Sequence, residues 1–276
     1  MSNIETLKNH NFKFNKAYGQ NFIFDTNFLQ SIVDKIDIQD KTVLEIGPGA
    51  GTLTSIIANS AKKVIAYEID NNLKPILAEN LANYNNVEIV FQDIMKSDIN
   101  EIEEKLGDDY HMVANLPYYI TTPIIFKFLE TATRLKSMTI MVQLEVAERL
   151  VAKPNTKDYG AITPAIDYRA TAKIIKKVSR TMFTPVPNVD SAIVKIDFEN
   201  NKFDIDNTTV LDNTIKAIFA MRRKTIENNI KSFFKFSSDL TNQIVTEAGI
   251  KPSSRGETLD TATIVKLSNV INKYIK

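Results

Sequence analysis

The stretch that most restricts the fold is Thr42-Val43-Leu44-Glu45-Ile46, a β-branched run that breaks at Gly47-Pro48-Gly49-Ala50-Gly51. The run reads as a buried strand, and three glycines in five residues read as a tight turn out of it. Leu53, Ile56, Ile57 and Ala58 follow at helical spacing. The same alternation continues downstream. Strand Lys63–Tyr67 ends at Glu68-Ile69-Asp70, a helix covers 72–83, strand Val87–Phe91 ends at Gln92-Asp93, and strand His111–Ala114 ends at Asn115. Strands separated by helices at this interval require right-handed crossovers and therefore a parallel sheet. Ser137–Val142, a helix over 143–152 and strands over 171–179 and 191–198 complete the sheet region. From about residue 205 only helical patterns remain, over 207–220, 222–236, 238–248 and 260–274. The expectation is an α/β doubly wound domain over residues 1–200, with helices on both faces, and a small all-helical domain over 201–276.

With 276 residues, 43% apolar and 24% charged, the chain has room for one large core and one appendage. No apolar run reaches the roughly 18–20 residues that span a bilayer, and the N-terminus lacks the basic-then-apolar layout of a secretory signal. Zero cysteines exclude disulfides and thiolate metal sites, and two histidines leave little for a metal centre. The expectations are a cytoplasmic monomer without a metal. The net charge of +1 conceals a division. Residues 1–130 hold 11 Lys/Arg against 18 Asp/Glu, whereas residues 131–235 hold 18 against 11. A basic middle beside an acidic first half is the asymmetry expected where one face meets a polyanion.

The glycine loop sits where a strand hands over to a helix, so the backbone can approach a ligand and the helix start offers free N–H groups. A dinucleotide fingerprint would read G-x-G-x-x-G; here Gly47, Gly49 and Gly51 give G-x-G-x-G, preceded by Glu45 inside the strand. Ligands of open parallel sheets lie at the carboxyl ends of the strands. Glu45, Glu68 and Asp93 all fall at such ends. Glu68 can accept both hydroxyls of a ribose, and Asp93 can accept from an adenine amino group. Either one alone is also an ordinary helix cap. Taken together, the arrangement resembles S-adenosylmethionine-dependent methyltransferases more than nicotinamide dehydrogenases.

Asn115-Leu116-Pro117-Tyr118 is the second informative segment. Asn-x-Pro is a common turn signal, but at the end of the fourth strand it places a side-chain amide, a fixed backbone and an aromatic ring together. The amine of adenine is a poor nucleophile, because its lone pair is delocalised into the ring. The Asn115 side-chain oxygen and the Leu116 carbonyl are the candidate acceptors that hold its N–H bonds and push the nitrogen toward tetrahedral geometry. Tyr118 is the candidate stacking surface, a contact worth roughly 1–3 kcal/mol.

Asn-Leu-Pro-Tyr after a Glu-x-Gly-x-Gly-x-Gly loop resembles the ribosomal RNA adenine N6-dimethyltransferases. Three further segments are similar to the small-subunit (KsgA-type) branch: Phe14–Asp25 to its K-x-x-G-Q-N-F-L-x-D motif, Phe183–Ala192 to its F-x-P-x-P-x-V-x-S-A loop, and Phe219–Thr225 to its F-x-x-R-R-K-T stretch. Ile23 replaces the usual Leu, and Met221 stands where Gln is frequent. The resemblance implies a Rossmann-like methyltransferase with S-adenosyl-L-methionine as donor. Its product would be dimethyladenosine at two adjacent adenosines in the 3′-terminal hairpin loop of 16S ribosomal RNA, made late in small-subunit biogenesis. It implies donor contacts at Asn21, Ile23, Gly47, Glu68, Asp93 and Asn115, and Gly49 and Gly51 of the same loop join them as candidate donor-binding residues. It also implies target-base contacts at Asn115, Leu116, Pro117, Tyr118 and Phe183.

A Phe before Pro-x-Pro is otherwise a core anchor; the resemblance makes Phe183 a second stacking face opposite Tyr118. Arg222-Arg223-Lys224, expected on a helix near the domain junction, are candidate phosphate contacts. The large-subunit branch more often carries Ile where Leu116 stands and lacks the Phe-x-Pro-x-Pro and Arg-Arg-Lys-Thr pairing. DNA adenine methyltransferases typically begin the tetrapeptide with an acidic residue. A non-catalytic assembly factor on the same scaffold is the remaining alternative.

Overall fold

A computed structural model describes residues 2–199 and 202–275, with the Lys16 side chain also outside the description. The elements in chain order are α1 (Asn3–Asn9), β1 (Phe22–Ile23), α2 (Thr26–Val33), β2 (Thr42–Ile46), α3 (Thr52–Ser60), β3 (Lys63–Glu68), α4 (Lys74–Asn80), β4 (Val87–Phe91), α5 (Ile99–Leu106), β5 (Tyr110–Asn115), α6 (Thr121–Thr131) and β6 (Leu135–Gln143). Then come α7 (Leu144–Leu150), α8 (Ile162–Asp167), β7 (Ala170–Val178), β8 (Phe183–Thr184), β9 (Ser191–Phe198), α9 (Thr208–Phe219), α10 (Ile226–Phe234), α11 (Ser238–Glu247) and α12 (Thr261–Asn272).

The chain folds as two compact units. One takes residues up to Ala147 together with Lys173–Phe198; the other takes Glu148–Ala172 together with residues from Glu199 onward. The expected boundary at 200/201 falls on residues outside the description. More substantively, residues 148–172 group with the helical unit. The reason is visible in their partners: Tyr168 donates to Asp212 at 2.6 Å, and the Arg169 guanidinium grips the same carboxylate at 2.8 and 3.1 Å.

Seven strands form one sheet in the order β4-β3-β2-β5-β6-β9-β7, and β1 pairs antiparallel with β8 in a separate ribbon. Strands β2 through β6 pair in parallel, and β9 returns antiparallel to β6. Successive residues Val43, Leu44, Glu45 and Ile46 are all buried, so both faces of β2 are covered, as a crossover-built sheet requires. One core joins Leu29, Ile32 and Val33 of α2 and Ile57 of α3 to Val43, Val64 and Val113 of the sheet. A second joins Leu7 to Leu73, Ile76, Leu77 and Ala50. The helix expected over 72–83 is a short 3-10 turn, Asn71–Leu73, running into α4, with Pro75 in its first turn, where proline's missing N–H costs nothing.

The sheet order places a topological switch between β2 and β5. Crossovers from β2 step outward to β3 and β4, then return to the other side of β2 as β5. A crevice must open there, beyond the carboxyl ends of both strands. The glycine loop follows β2 and Asn115 ends β5, so the two informative sequence segments meet across it. In the helical unit α9 packs on α10 and α12, and buried Asn229 donates to the Ile218 and Met221 carbonyls that end α9. Among the described residues no helix is long and apolar enough to cross a membrane.

Candidate active site

The crevice opens into a cavity at this switch point. Asn21, Gly47, Gly49, Glu68, Asp93, Asn115, Leu116, Pro117 and Tyr118 all line it, so most of the expected donor and base contacts are brought to one place. A smaller cavity lies alongside, shares Phe22, Gly47 and Asn115, and is where Ile23 and Glu45 are found.

Each glycine of the loop does something different. Gly47 has φ +72°, and a Cβ there would meet nothing within 4 Å, so its missing side chain leaves open space beside the cavity. Gly49 has φ +57°, and a Cβ would come within 2.7 Å of the Phe22 ring, so this glycine lets the N-terminal segment lie on the loop. Gly51 lines neither cavity. It begins α3 with φ +81° and accommodates Leu77 and Leu81, a packing role in place of the expected donor contact.

The acids are set apart by burial. Glu68, 4% exposed, accepts from the Asp70 amide at 2.8 Å and the Gly49 amide at 3.2 Å. Burial pushes its carboxyl up to about 7, against the pull of those two amides. Its carboxyl therefore ties the glycine loop to the end of β3 while facing the cavity. Glu45 is 1% exposed with Oε2 unpartnered, and burial pushes it up to about 8. Asp93 uses one oxygen to accept from the Met95 amide at 2.9 Å, the capping behaviour open to it from sequence, and still lines the cavity.

Asn115 carries the clearest chemical information. Its Nδ2 donates to the main-chain oxygen of Asn21 at 2.9 Å. A carbonyl only accepts, so this bond fixes which end of the amide is which. Oδ1 is left as the acceptor. The loop behind it is held: Leu116 donates its amide to Met141 at 3.2 Å, Thr121 Oγ1 donates to the Pro117 carbonyl at 3.0 Å, and the Tyr118 hydroxyl bonds Ser191 Oγ at 2.7 Å. Burial raises the Tyr118 phenol, so the ring stays neutral.

Expectations for two segments are corrected. Phe183 does not reach the cavity: it is 2% exposed, pairs with Ile23 across the β1–β8 ribbon and packs with Leu29, Met141 and Ile193. Apolar burial thus makes it the core anchor that Phe-Thr-Pro suggested before the resemblance was applied. Arg222, Arg223 and Lys224 lie in the turn between α9 and α10, not on a helix, because α9 ends at Phe219 and Thr225 caps α10. Arg222 is engaged inside its own unit, donating to the Lys157 carbonyl at 3.0 Å with Glu257 at 3.8 Å, whereas Arg223 and Lys224 are exposed. His10 bonds Glu79 at 2.8 Å and His111 bonds Ser137 at 2.8 Å, both away from the site.

The sequence reading missed Gln20, Asp70 and Tyr119. Gln20 donates to buried Asp70 at 2.7 Å and accepts from the Asn15 amide at 2.7 Å. Tyr119 lines the cavity yet is 54% exposed, and its one sequence signal is a second tyrosine after the tetrapeptide.

A doubly wound sheet whose crevice gathers the glycine loop, Glu68, Asp93 and Asn115 has the architecture of a Rossmann-like methyltransferase. The model of the ribosomal RNA adenine dimethylase family matches residues 11–273. The chain is 46% identical over 275 residues to ribosomal RNA small subunit methyltransferase A of Geobacillus kaustophilus, covering 97% of this chain and 94% of that one. It is 44% identical to the protein of that name from Clostridioides difficile, covering 98% and 95%. Among solved structures it superposes on a dimethyladenosine transferase from Plasmodium falciparum with a TM-score of 0.78 at 26% identity, covering 91% and 98%. It superposes on the 23S rRNA methyltransferase ErmE with a TM-score of 0.69 at 25% identity, covering 91% and 100%. The chain belongs to the ribosomal RNA adenine dimethylase family.

Proposed function

We infer that this protein transfers methyl groups from S-adenosyl-L-methionine to N6 of two adjacent adenosines in the 3′-terminal hairpin loop of 16S ribosomal RNA, acting on the small subunit late in its assembly in the cytoplasm. The observation that carries the reading is the fixed amide of Asn115, whose acceptor end stands beside a cavity walled by Glu68 and Asp93. The residues fit the donor: Gly47 leaves the space a Cβ would fill, Glu68 offers acceptors to a ribose, and Ile69 and Ile94 give the cavity apolar walls. The donor supplies an electrophilic methyl on sulfur.

The chain's part is orientation. Asn115 Oδ1 and the Leu116 carbonyl accept the two N6 hydrogens, and Tyr118, anchored through Ser191, stacks on the base. The nitrogen pair attacks the methyl carbon as its bond to sulfur breaks, leaving S-adenosylhomocysteine. The proton, acidic once nitrogen is alkylated, leaves to water, so no strong base is needed. Preorganised acceptors and alignment are where the rate is gained. Reaching the pocket requires the base to leave its stack. Exposed Arg223 and Lys224 are the phosphate contacts of the helical unit, Arg222 bracing their turn. The protein acts as a monomer and uses no metal.

Tritiated methyl transfer to under-methylated small subunits, with mass spectrometry of the digested RNA, tests this. Dimethyladenosine at two adjacent 3′-end positions, absent with Asn115→Ala, is the expected result. Transfer to large-subunit RNA alone, or binding without transfer, would refute it.

A further inference from the structure

The N-terminal segment from Tyr18 to Phe22 lines the cavity and is tied to several of the elements around it. Phe22 rests on the glycine loop at Gly49, Gln20 reaches Asp70 beyond β3, and the Asn21 carbonyl receives Asn115 from the catalytic loop. The remaining contact is Gly19 against Tyr119. A Cβ on Gly19 would lie 3.2 Å from Tyr119 Cδ1, 3.6 Å from its Cε1 and 3.9 Å from Pro117 Cβ, and φ is +59°. Only a glycine lets the strap settle on that ring without strain.

Tyr119 is a large aromatic 54% exposed, yet it lines the cavity beside the residues that would recognise an adenosine. Burial raises its phenol, and the carboxylates of Asp93 and Glu68 lie near enough, with Tyr18, to raise it further. Lining the same cavity as Glu68 and Asp93 while half exposed, the ring stands at the mouth of the crevice.

We propose that Tyr119 is a donor-retaining residue: seated on Gly19, its ring holds the N-terminal strap closed over the adenosine end of the methyl donor and so sets how fast donor and spent donor leave. The proposal rests on the reading that the cavity takes S-adenosylmethionine. A flat base beneath a flat ring is the chemistry involved, and losing one such stack is worth about fivefold at the low end of its range and more than tenfold above it.

Calorimetry with S-adenosylmethionine and S-adenosylhomocysteine, together with displacement kinetics, tests it on the intact protein without RNA. Tyr119→Ala is expected to weaken donor affinity about tenfold, chiefly through faster dissociation, and Tyr119→Phe is expected to restore retention. Gly19→Ala attacks the same contact from the other side, so the double variant should be no weaker than the worse single one. Unchanged donor dissociation in both single variants would overturn the proposal, and if filter binding of the same variants to small subunits then showed a loss, Tyr119 would be an RNA contact instead. Neither result touches the proposed reaction. Failure of the wild-type protein to bind donor would overturn both.

Discussion

Glu45 offers a test that depends on a single buried group. It lies inside β2, 1% exposed, with one carboxyl oxygen unpartnered, and burial moves its carboxyl from 4.5 to about 8. Below the unfolded value both states are protonated and the group contributes nothing to pH dependence. Between 4.5 and about 8 the folded protein keeps a proton that the unfolded chain has released. Folding stability therefore falls as pH rises across that window, by about 1.4 kcal/mol per pH unit, and levels off above it. From pH 5 to pH 7 the loss from this one residue is about 3 kcal/mol, a large share of the stability of an ordinary domain. Glu45→Gln removes the titration while keeping the shape. Glu68, raised to about 7, imposes its own slope in both proteins, and its charge is a minor cause of the Glu45 shift beside burial, so most of its effect cancels in the difference. Urea unfolding followed by far-UV circular dichroism at pH 5, 6, 7 and 8 should show the variant gaining on the parent steadily, with the gap closing to a constant beyond pH 8. A gap that does not change with pH would refute the reasoning, because it would mean that the carboxyl ionises at its ordinary value and is not desolvated.

The same physics extends to function. Glu68 accepts ribose hydroxyls best as a carboxylate, so donor affinity should rise with pH up to about 7 and then flatten, as read by calorimetry; a flat profile would remove Glu68 from the donor site. Asn115→Asp replaces the Nδ2 donor with an oxygen facing the Asn21 carbonyl, and methyl transfer should drop by roughly 10²–10³, the cost of losing a preorganised acceptor geometry. Phe183→Ala should cost about 3–5 kcal/mol in unfolding free energy, as a core cavity does; a fall in transfer at unchanged stability would restore the stacking role. Arg223→Ala and Lys224→Ala should each reduce the salt-dependence slope of subunit binding by about 1, measured by filter binding from low to moderate salt.

Much of this was readable before any coordinates, for reasons that differ from residue to residue. The parallel sheet was legible because strand and helix periods are local, and a glycine loop between them admits few topologies. Gly47, Glu68, Asp93 and Asn115 were legible because a crossover sheet puts every strand's carboxyl end on one edge, so position along a strand already fixes position in the site. Gly51 and Phe183 went astray for one reason. A motif says which residues recur together, but it does not say whether a residue touches the ligand or shapes what does. Gly51 makes room for Leu77 and Leu81, 26 and 30 positions along the chain, and Phe183 meets Ile23 across a two-residue ribbon. The grouping of 148–172 with the helical unit was out of reach similarly, since it depends on Asp212 receiving Tyr168 and Arg169.

The strap carries this furthest. Gln20 meets Asp70 and Asn21 meets Asn115, over separations of 50 and 94 residues. Neither contact has a local signature, yet the second orients the amide on which the proposed reaction depends. In that proposal the N-terminal segment is thus part of the catalytic geometry as well as of the donor's enclosure. If the strap opens to exchange donor as proposed, the Asn21–Asn115 bond breaks with it, so the two proposals together couple donor binding to the orientation of the Asn115 acceptor.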